Sequence, residues 1–166
     1  MKKIDKDGLI LCEIQAKVFE KSIDKENCSS GIFVRRFMNS EICEKMDGIY
    51  FLEETCSVEQ VFKEINEEYG ESTYGRTKFS KNELYWMGYI YRYFAYVCQL
   101  SSRNIYKIIN ATELRDLYYP YHTLDPQNAV ERILEAKDYI ILETPEEITK
   151  KGVEILRRIR SKDKQV

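Results

Sequence analysis

The sequence predicts an all-α protein, a single-domain bundle of about six or seven helices. Helix-capping residues recur along the chain, and most of the segments that they open repeat apolar residues at helical spacing. One central segment is apolar on nearly all sides, as expected for a helix inside a bundle. A chain of 166 residues suffices for one domain with a sizeable core, so we expect a single helical domain over 1–166 with a disordered tail at 161–166.

The first part of the chain predicts three amphipathic helices. They cover about 7–22, 30–48 and 57–70, and their caps are Asp7, Ser30 and Ser57, the last in a capping box with Gln60. Gly70 is expected to end the third helix. The faces predicted to be buried contain Leu11, Ile14 and Val18 in the first helix, Phe33, Phe37, Ile42 and Met46 in the second, and Val58, Val61, Phe62, Ile65 and Tyr69 in the third.

A central helix over 81–99 is predicted from the capping box of Ser80 and Glu83. Its segment "LYWMGYIYRYFAYVC" holds seven aromatic rings, which make two of its three faces apolar. The third face is a tyrosine flank with one guanidinium, made of Tyr85, Tyr89, Arg92 and Tyr96. We expect this helix in the core, with its flank reaching water or polar partners. Because a membrane span needs about 20 apolar residues, no membrane segment is expected.

Shorter helices are predicted in the rest of the chain. "SSRNIYKII" is capped by Ser101 or Ser102, and its Ile105, Ile108 and Ile109 are expected to point inward. "TELRDLYY" is capped by Thr112 and ended by Pro120, "LDPQNAVERILEA" is capped by Asp125, and a last helix begins at Thr144. Two runs, "GIYFLE" and "DYIILE", are β-like and predict a minor two-stranded ribbon.

Composition excludes several classes of function. The net charge of −2 gives no general attraction to nucleic acid or anionic lipid, although the stretch 41–71 is acidic and 150–166 is basic. Five cysteines without a CxxC pair, beside one histidine, indicate reduced buried thiols rather than a zinc site or a disulfide framework. The start of the chain lacks a signal-peptide pattern, so a cytoplasmic protein without metal or cofactor is expected.

The segment "ELRDLYYPYHTLD" contains the most specific local pattern. Arg115 and His122 are separated by six residues and resemble the R-x4-6-H motif of HEPN-type ribonucleases, in which a dimer brings Arg and His to the RNA backbone. Pro120 interrupts the helix that would present both side chains. The structural alternative is that Arg115 pairs with a carboxylate and His122 orders the turn before Asp125. Partner-binding residues are predicted here: Arg115, Tyr118, Tyr119, Tyr121 and His122.

A helix-turn-helix rhythm over 101–119 leaves a DNA-binding regulator open as a further hypothesis. A recognition helix should present basic or amide side chains to the bases and phosphates. Here Arg115 is the only base among Thr112, Glu113, Arg115 and Asp116, so packing of short helices explains the pattern better.

A family resemblance covers a larger part of the chain. Residues 85–136 combine the aromatic helix, an "S-x-x-x-I-Y" segment, an "L-x-x-x-Y" turn leading to "H-T" and a last helix, and 33–47 match further. The combination resembles a small helical bacterial family of unknown function that is encoded in toxin-antitoxin-like operons beside putative ADP-ribosyltransferase-like toxins. This resemblance implies a small cytoplasmic helical protein, and no catalytic residue transfers with it.

The leading functional hypothesis is a non-catalytic, antitoxin-like protein that binds and neutralises a partner toxin enzyme. It follows from the resemblance, from the lack of a credible active site and from the acidic stretch 41–71, which could engage a basic partner. The alternatives are an HEPN-like ribonuclease or toxin using Arg115 and His122, and a DNA-binding transcriptional regulator. A nucleic-acid partner and a homodimer stay open at this point.

Overall fold

The computed structural model describes residues 1–48, 57–139 and 141. These residues form nine helices and contain no strand, which confirms the all-α prediction. The helices are α1 (Lys6–Lys25), α2 (Ser30–Asn39), α3 (Glu41–Asp47), α4 (Val58–Tyr69), α5 (Lys81–Cys98), α6 (Ser102–Ile108), α7 (Ala111–Asp116), α8 (Tyr118–Tyr121) and α9 (Pro126–Ala136).

The pair of α1 and α5 is the most extensive helix contact and forms the axis of the bundle. Gly88 allows the close approach, because a Cβ there would lie 2.7 Å from the backbone oxygen of Gln15 and 2.9 Å from the Cα of Ala16. The other helices surround this pair. α2 and α4 pack on α1, α7 to α9 pack against α5, and α6 contacts both α2 and α5.

The core is rich in aromatic rings, and Phe19 of α1 stands at its centre. Its ring meets those of Phe33, Phe37 and Tyr91 edge-on, with centroids 5.7, 5.0 and 6.3 Å away. Edge-to-face pairs of this kind add about 0.5–1.5 kcal/mol each beyond the burial of apolar area. The prediction that 81–99 forms the central helix is confirmed, since α5 is buried along most of its length.

The helix predicted over 30–48 is wrong in its continuity and in its cap. The chain forms two helices there, and the side chain of Ser40 explains the break. Its hydroxyl donates to the Phe37 carbonyl at the end of α2 and accepts from the Cys43 amide at the start of α3. The cap of α2 is Ser29 rather than Ser30, whose hydroxyl instead accepts from the distant amide of Phe79.

Two further cap predictions are wrong, one because a distant contact selects a neighbouring residue and one because a local capping box of Asn110 with Glu113 was overlooked. Asp5 caps α1 in place of Asp7, since its carboxylate accepts both from the Gly8 amide and from the Tyr96 hydroxyl of α5. α7 is capped by Asn110 rather than Thr112. Confirmed caps are Ser57, Ser80 in its capping box, Ser101 and Asp125, and Gly70 ends α4 at a φ of +73°.

The helical break before His122 lies earlier than predicted. α7 ends at Asp116, Leu117 forms the connection, and Pro120 lies inside the four-residue helix α8 instead of ending a helix. A proline is tolerated there because the amides of a first helical turn have no partner within the helix.

Several predicted features lie outside the described residues. These are the last helix from Thr144, the tail at 161–166, and most of the two runs predicted as a ribbon. Within the described ranges, no helix combines the length and the hydropathy that crossing a membrane requires.

Candidate functional site

The residues predicted to bind a partner gather around α8. Tyr119 is 78% exposed, and its ring lies edge-on to Tyr118, with centroids 5.4 Å apart. Tyr118 in turn meets Trp86 of α5 at 5.7 Å and stacks on His122 at 4.6 Å. The aromatic side chains therefore form a ladder that begins at the central helix and ends in solvent. We define the α8 surface as Tyr118, Tyr119, Tyr121, His122 and Arg132.

His122 closes the end of α8. Its Nδ1 lies 3.0 Å from the carbonyl oxygen of Tyr118 and 3.2 Å from that of Tyr119. With the proton on Nδ1, the ring donates to these carbonyls, and the Tyr118 carbonyl also accepts from the His122 backbone amide at 2.8 Å. This contact agrees with the structural alternative, in which His122 orders the turn before Asp125. Nε2 is then the ring nitrogen left for other chemistry.

Arg115 binds a carboxylate, as its structural alternative predicts. Its Nε donates to Oε1 of Glu83 at 2.9 Å, and its guanidinium lies 4.7 Å above the ring of Phe79. Burial opposes ionisation of Glu83, but hydrogen bonds from Ser80 and Arg115 outweigh it and lower the pKa of this carboxyl. Arg115 thereby fastens α7 to the start of α5. Within the described residues, no hydrogen bond joins Arg115 to His122.

An open groove borders the α8 surface between α8 and α9. Its volume is about 790 Å³, and Tyr121, Leu124 and Arg132 line it. The guanidinium of Arg132 lies 6.0 Å from the centre of the Tyr121 ring, at the limit of cation–π range, and Glu131 and Glu135 also line the groove. The groove therefore extends the exposed aromatic ladder by a further ring and a cation.

Sequence reasoning missed a buried polar network around Arg92, which is 1% exposed. Its guanidinium donates from Nε to Gln15 Oε1 at 2.8 Å, from Nη1 to Asp47 Oδ1 at 2.6 Å and from Nη2 to Cys43 Sγ at 3.3 Å. The same carboxylate accepts from the amide and the hydroxyl of Ser102, at 2.8 and 2.6 Å. The network joins α1, α3, α5 and α6, so the guanidinium of the tyrosine flank has its polar partners within the chain.

The rest of the tyrosine flank faces α1 of the same chain. The hydroxyl of Tyr85 donates to Glu13 at 2.7 Å, and that of Tyr96 donates to Asp5 at 2.7 Å. Burial and the Glu13 contact raise the pKa of Tyr85 to about 12, so it stays a neutral donor. These half-buried phenols have internal polar partners, which reduces the flank available to another molecule.

Two further features bear on catalysis. Four cysteines in the described ranges, Cys12, Cys28, Cys43 and Cys98, are buried thiols outside any disulfide, and burial raises the pKa of Cys12 to about 12 and of Cys43 to about 11. Such thiols are poor nucleophiles, because the thiolate is the reactive form. No cluster of His, Cys, Asp and Glu among the described residues is arranged to hold a metal ion.

A cavity of about 440 Å³ lies beside the Arg92 network. Lys2, Asp5 and Tyr96 line its mouth, and Asp47 and Arg92 lie in its wall. Acidic and basic side chains alternate there, and each of the five binds another residue of the chain. Among the described residues, these five side chains of the cavity are thus already paired within the chain.

Comparison with protein-family models, with curated proteins and with solved structures finds no match to this chain. The resemblance of 85–136 to a toxin-antitoxin-associated family therefore stays a prediction. Functional inference rests on the contacts of the chain's own residues.

Proposed function

We propose that this protein is a non-catalytic, antitoxin-like binding protein that neutralises a partner toxin enzyme through the α8 surface. The observation that carries the proposal is Tyr119, which stands 78% exposed on a helix of only four residues. Tyrosine, tryptophan and arginine are enriched among the residues that dominate the energetics of protein interfaces, and tyrosine and tryptophan bury large areas with only two side-chain torsions. The α8 surface combines three tyrosines with Arg132.

The α8 surface is ordered before any partner binds. Tyr118 is held between Trp86 and His122, and the His122 ring is tied to the carbonyls of α8. Side chains that are already ordered lose less entropy on association, so more of their contact energy contributes to affinity. This supports a role in recognition for a turn that contributes little to the core.

A non-catalytic role is supported by the partners of the two candidate catalytic residues. Arg115 binds Glu83, and one nitrogen of His122 binds backbone carbonyls. A dimeric, HEPN-like ribonuclease is the second candidate, and the observation in its favour is that His122 is exposed with Nε2 unbonded by any described residue. A cytoplasmic location belongs to both proposals.

The test is titration calorimetry of the purified chain against the product of the neighbouring gene. Tyr119→Ala is expected to weaken binding by roughly 30-fold, the equivalent of about 2 kcal/mol for a central interface tyrosine. Tyr74→Ala is the matched control, because Tyr74 is equally exposed at 76% and lies between α4 and α5. Equal affinities of the two variants would refute the proposed surface.

The same preparation separates binding from catalysis. We expect no cleavage of RNA by the chain alone, with or without the substitution His122→Ala. RNA cleavage that His122→Ala abolishes, while the circular-dichroism spectrum stays unchanged, would establish the ribonuclease instead.

A further inference from the structure

A second exposed surface lies where α2 packs beside α6. We define the basic face as Arg35, Arg36, Arg103 and Lys107. None of the four forms an ion pair with a described residue, whereas other bases such as Lys81 and Lys137 do. Acidic side chains do lie beside this face, since Glu44 and Asp47 line a small cleft together with Arg103.

Hydrogen bonds hold the basic face together across the two helices. Arg103 of α6 donates from Nη2 to the carbonyl of Asn39 at 3.0 Å, and the Asn39 amide donates to the carbonyl of Arg35 at 2.7 Å. Lys107 follows Arg103 by four residues, so it lies on the same side of α6. Arg103 and Lys107 therefore share one side of α6, and Arg103 is tied to the end of α2.

Two half-exposed tyrosines border this surface. Arg36 lies 5.7 Å from the centre of the Tyr69 ring. Burial and a hydrogen bond with Glu68 raise the pKa of Tyr69, and the charges of Arg103 and Arg36 oppose that rise. On the other side, Lys107 opens onto a cleft of about 530 Å³ that Tyr139 also lines.

We propose that the basic face binds single-stranded nucleic acid. Its cations would contact successive phosphates, and Tyr69 and Tyr139 offer rings on which bases stack. This combination of a positive surface with aromatic side chains is how proteins bind single strands without reading their sequence. An acidic polypeptide would satisfy the cations but would leave the two rings without a stacking partner. The proposal is independent of the α8 surface, which contains none of these residues.

The salt dependence of binding gives the expected magnitude. Each phosphate neutralised on a single strand contributes about −0.7 to the slope of log affinity against log salt, so four contacts predict a slope of about −3. The substitutions Arg35→Gln and Lys107→Gln together should reduce that slope by about 1.4. Both side chains are exposed and form no hydrogen bond with a described residue, so the fold should be retained.

Fluorescence anisotropy with labelled single-stranded DNA and RNA of about 16 nucleotides provides the test. The control is Lys17→Gln with Lys25→Gln, two exposed lysines of α1 that change the net charge equally. The expected result is at least about 10-fold weaker binding for the basic-face variant and unchanged binding for the control. Equal affinities of the two variants, or no binding at low salt, would overturn the proposal.

Two competitors identify the class of ligand. Inorganic polyphosphate of matched charge lacks bases, and polyglutamate carries carboxylates in place of phosphates. Both should compete much more weakly than the oligonucleotide, because neither can stack on Tyr69 and Tyr139. If polyphosphate or polyglutamate competed as strongly as the oligonucleotide, the assignment to nucleic acid would be overturned. A clear preference for duplex DNA over the single strand would overturn it as well.

Discussion

Removal of the Asp47 carboxylate is expected to destabilise this protein far more than removal of an exposed aspartate. Asp47 is the only acid within ion-pair distance of Arg92 among the described residues, and the two atoms that meet are 2.6 Å apart. The substitution Asp47→Ala leaves the Arg92 guanidinium charged, 1% exposed and without a counterion. It also removes the acceptor for the amide and hydroxyl of Ser102 at the start of α6.

The magnitude follows from the burial of the pair. Breaking a buried ion pair by removing one partner costs about 3–5 kcal/mol, because the remaining charge stays desolvated. A domain of this size is typically stable by about 5–15 kcal/mol, so the loss is a large share of the total. At a urea dependence of about 2 kcal/mol per molar, the unfolding midpoint should fall by roughly 2 M.

Urea unfolding followed by circular dichroism measures this shift. Asp24→Ala is the control, since Asp24 forms an ion pair of 2.8 Å with Lys81 in which both side chains are exposed. Its midpoint should stay within error of the wild type, because exposed pairs contribute little. In a double-mutant cycle, Arg92→Met should reduce the cost of Asp47→Ala, since no buried charge is then left unpaired.

Two outcomes would refute this account of the network. A midpoint for Asp47→Ala as close to the wild type as that of Asp24→Ala would mean that Arg92 is not desolvated. Additive effects of Asp47→Ala and Arg92→Met would mean that the two side chains do not interact.

Three further predictions concern other parts of the bundle. Gly88→Ala should lower the melting temperature, because the added methyl group overpacks α1 against α5 at a cost of about 1–3 kcal/mol. Gly31→Ala is the control: no atom lies within 4 Å of a Cβ placed there, so the melting temperature should stay unchanged or rise. The Tyr96 hydroxyl, the Gly8 amide and Lys2 lower the pKa of Asp5 from 3.8 to about 2. Asp5 therefore stabilises the fold above about pH 4, and this contribution is lost as the pH falls towards 2. Carboxyl NMR should show a higher pKa for Asp5 in Tyr96→Phe, and an unchanged pKa would contradict the contact. Burial raises the pKa of Cys12 to about 12, so maleimide at pH 8 should modify this thiol only after the protein unfolds. Mass spectrometry measures the labelling, and rapid modification of Cys12 in the native protein would contradict its burial.

Helix positions could be predicted from the sequence wherever local capping alone decides them. Ser80 with Glu83 forms a capping box within four residues, and α5 begins there as predicted. One failure, Thr112 in place of Asn110, overlooked a local capping box with Glu113, whereas others arose where a distant contact selects between neighbouring caps. Asp5 is chosen over Asp7 because Tyr96, 91 positions away, donates to its carboxylate.

The position of Arg92 shows what helical periodicity cannot supply. Its spacing places it with Tyr89 and Tyr96 on the polar flank of α5, and it does lie on that side. Its burial depends on Asp47 and Gln15, which lie 45 and 77 positions away and which no local pattern connects to it. A single arginine in a strongly apolar helix was the only available signal, since such a residue must be paired when buried.

Sequence alone singled out Tyr118, Tyr119, Tyr121 and His122 as partner-binding residues, but neither Arg132 nor the arrangement of these side chains. The spacing of Arg115 and His122 drew attention to the segment, and the structure gives the two side chains separate partners. The ladder from Trp86 to Tyr119 could not be predicted, because it depends on how α8 packs against α5.

Growth rescue in cells tests the central claim most directly. The neighbouring gene would be induced alone, with the wild-type chain, with Tyr119→Ala and with Tyr74→Ala, at matched protein levels. We predict arrest with the neighbouring gene alone, rescue by the wild type and by Tyr74→Ala, and little or no rescue by Tyr119→Ala. Full rescue by Tyr119→Ala would contradict the α8 surface, and arrest caused by this chain itself, abolished in His122→Ala, would contradict the neutralising role.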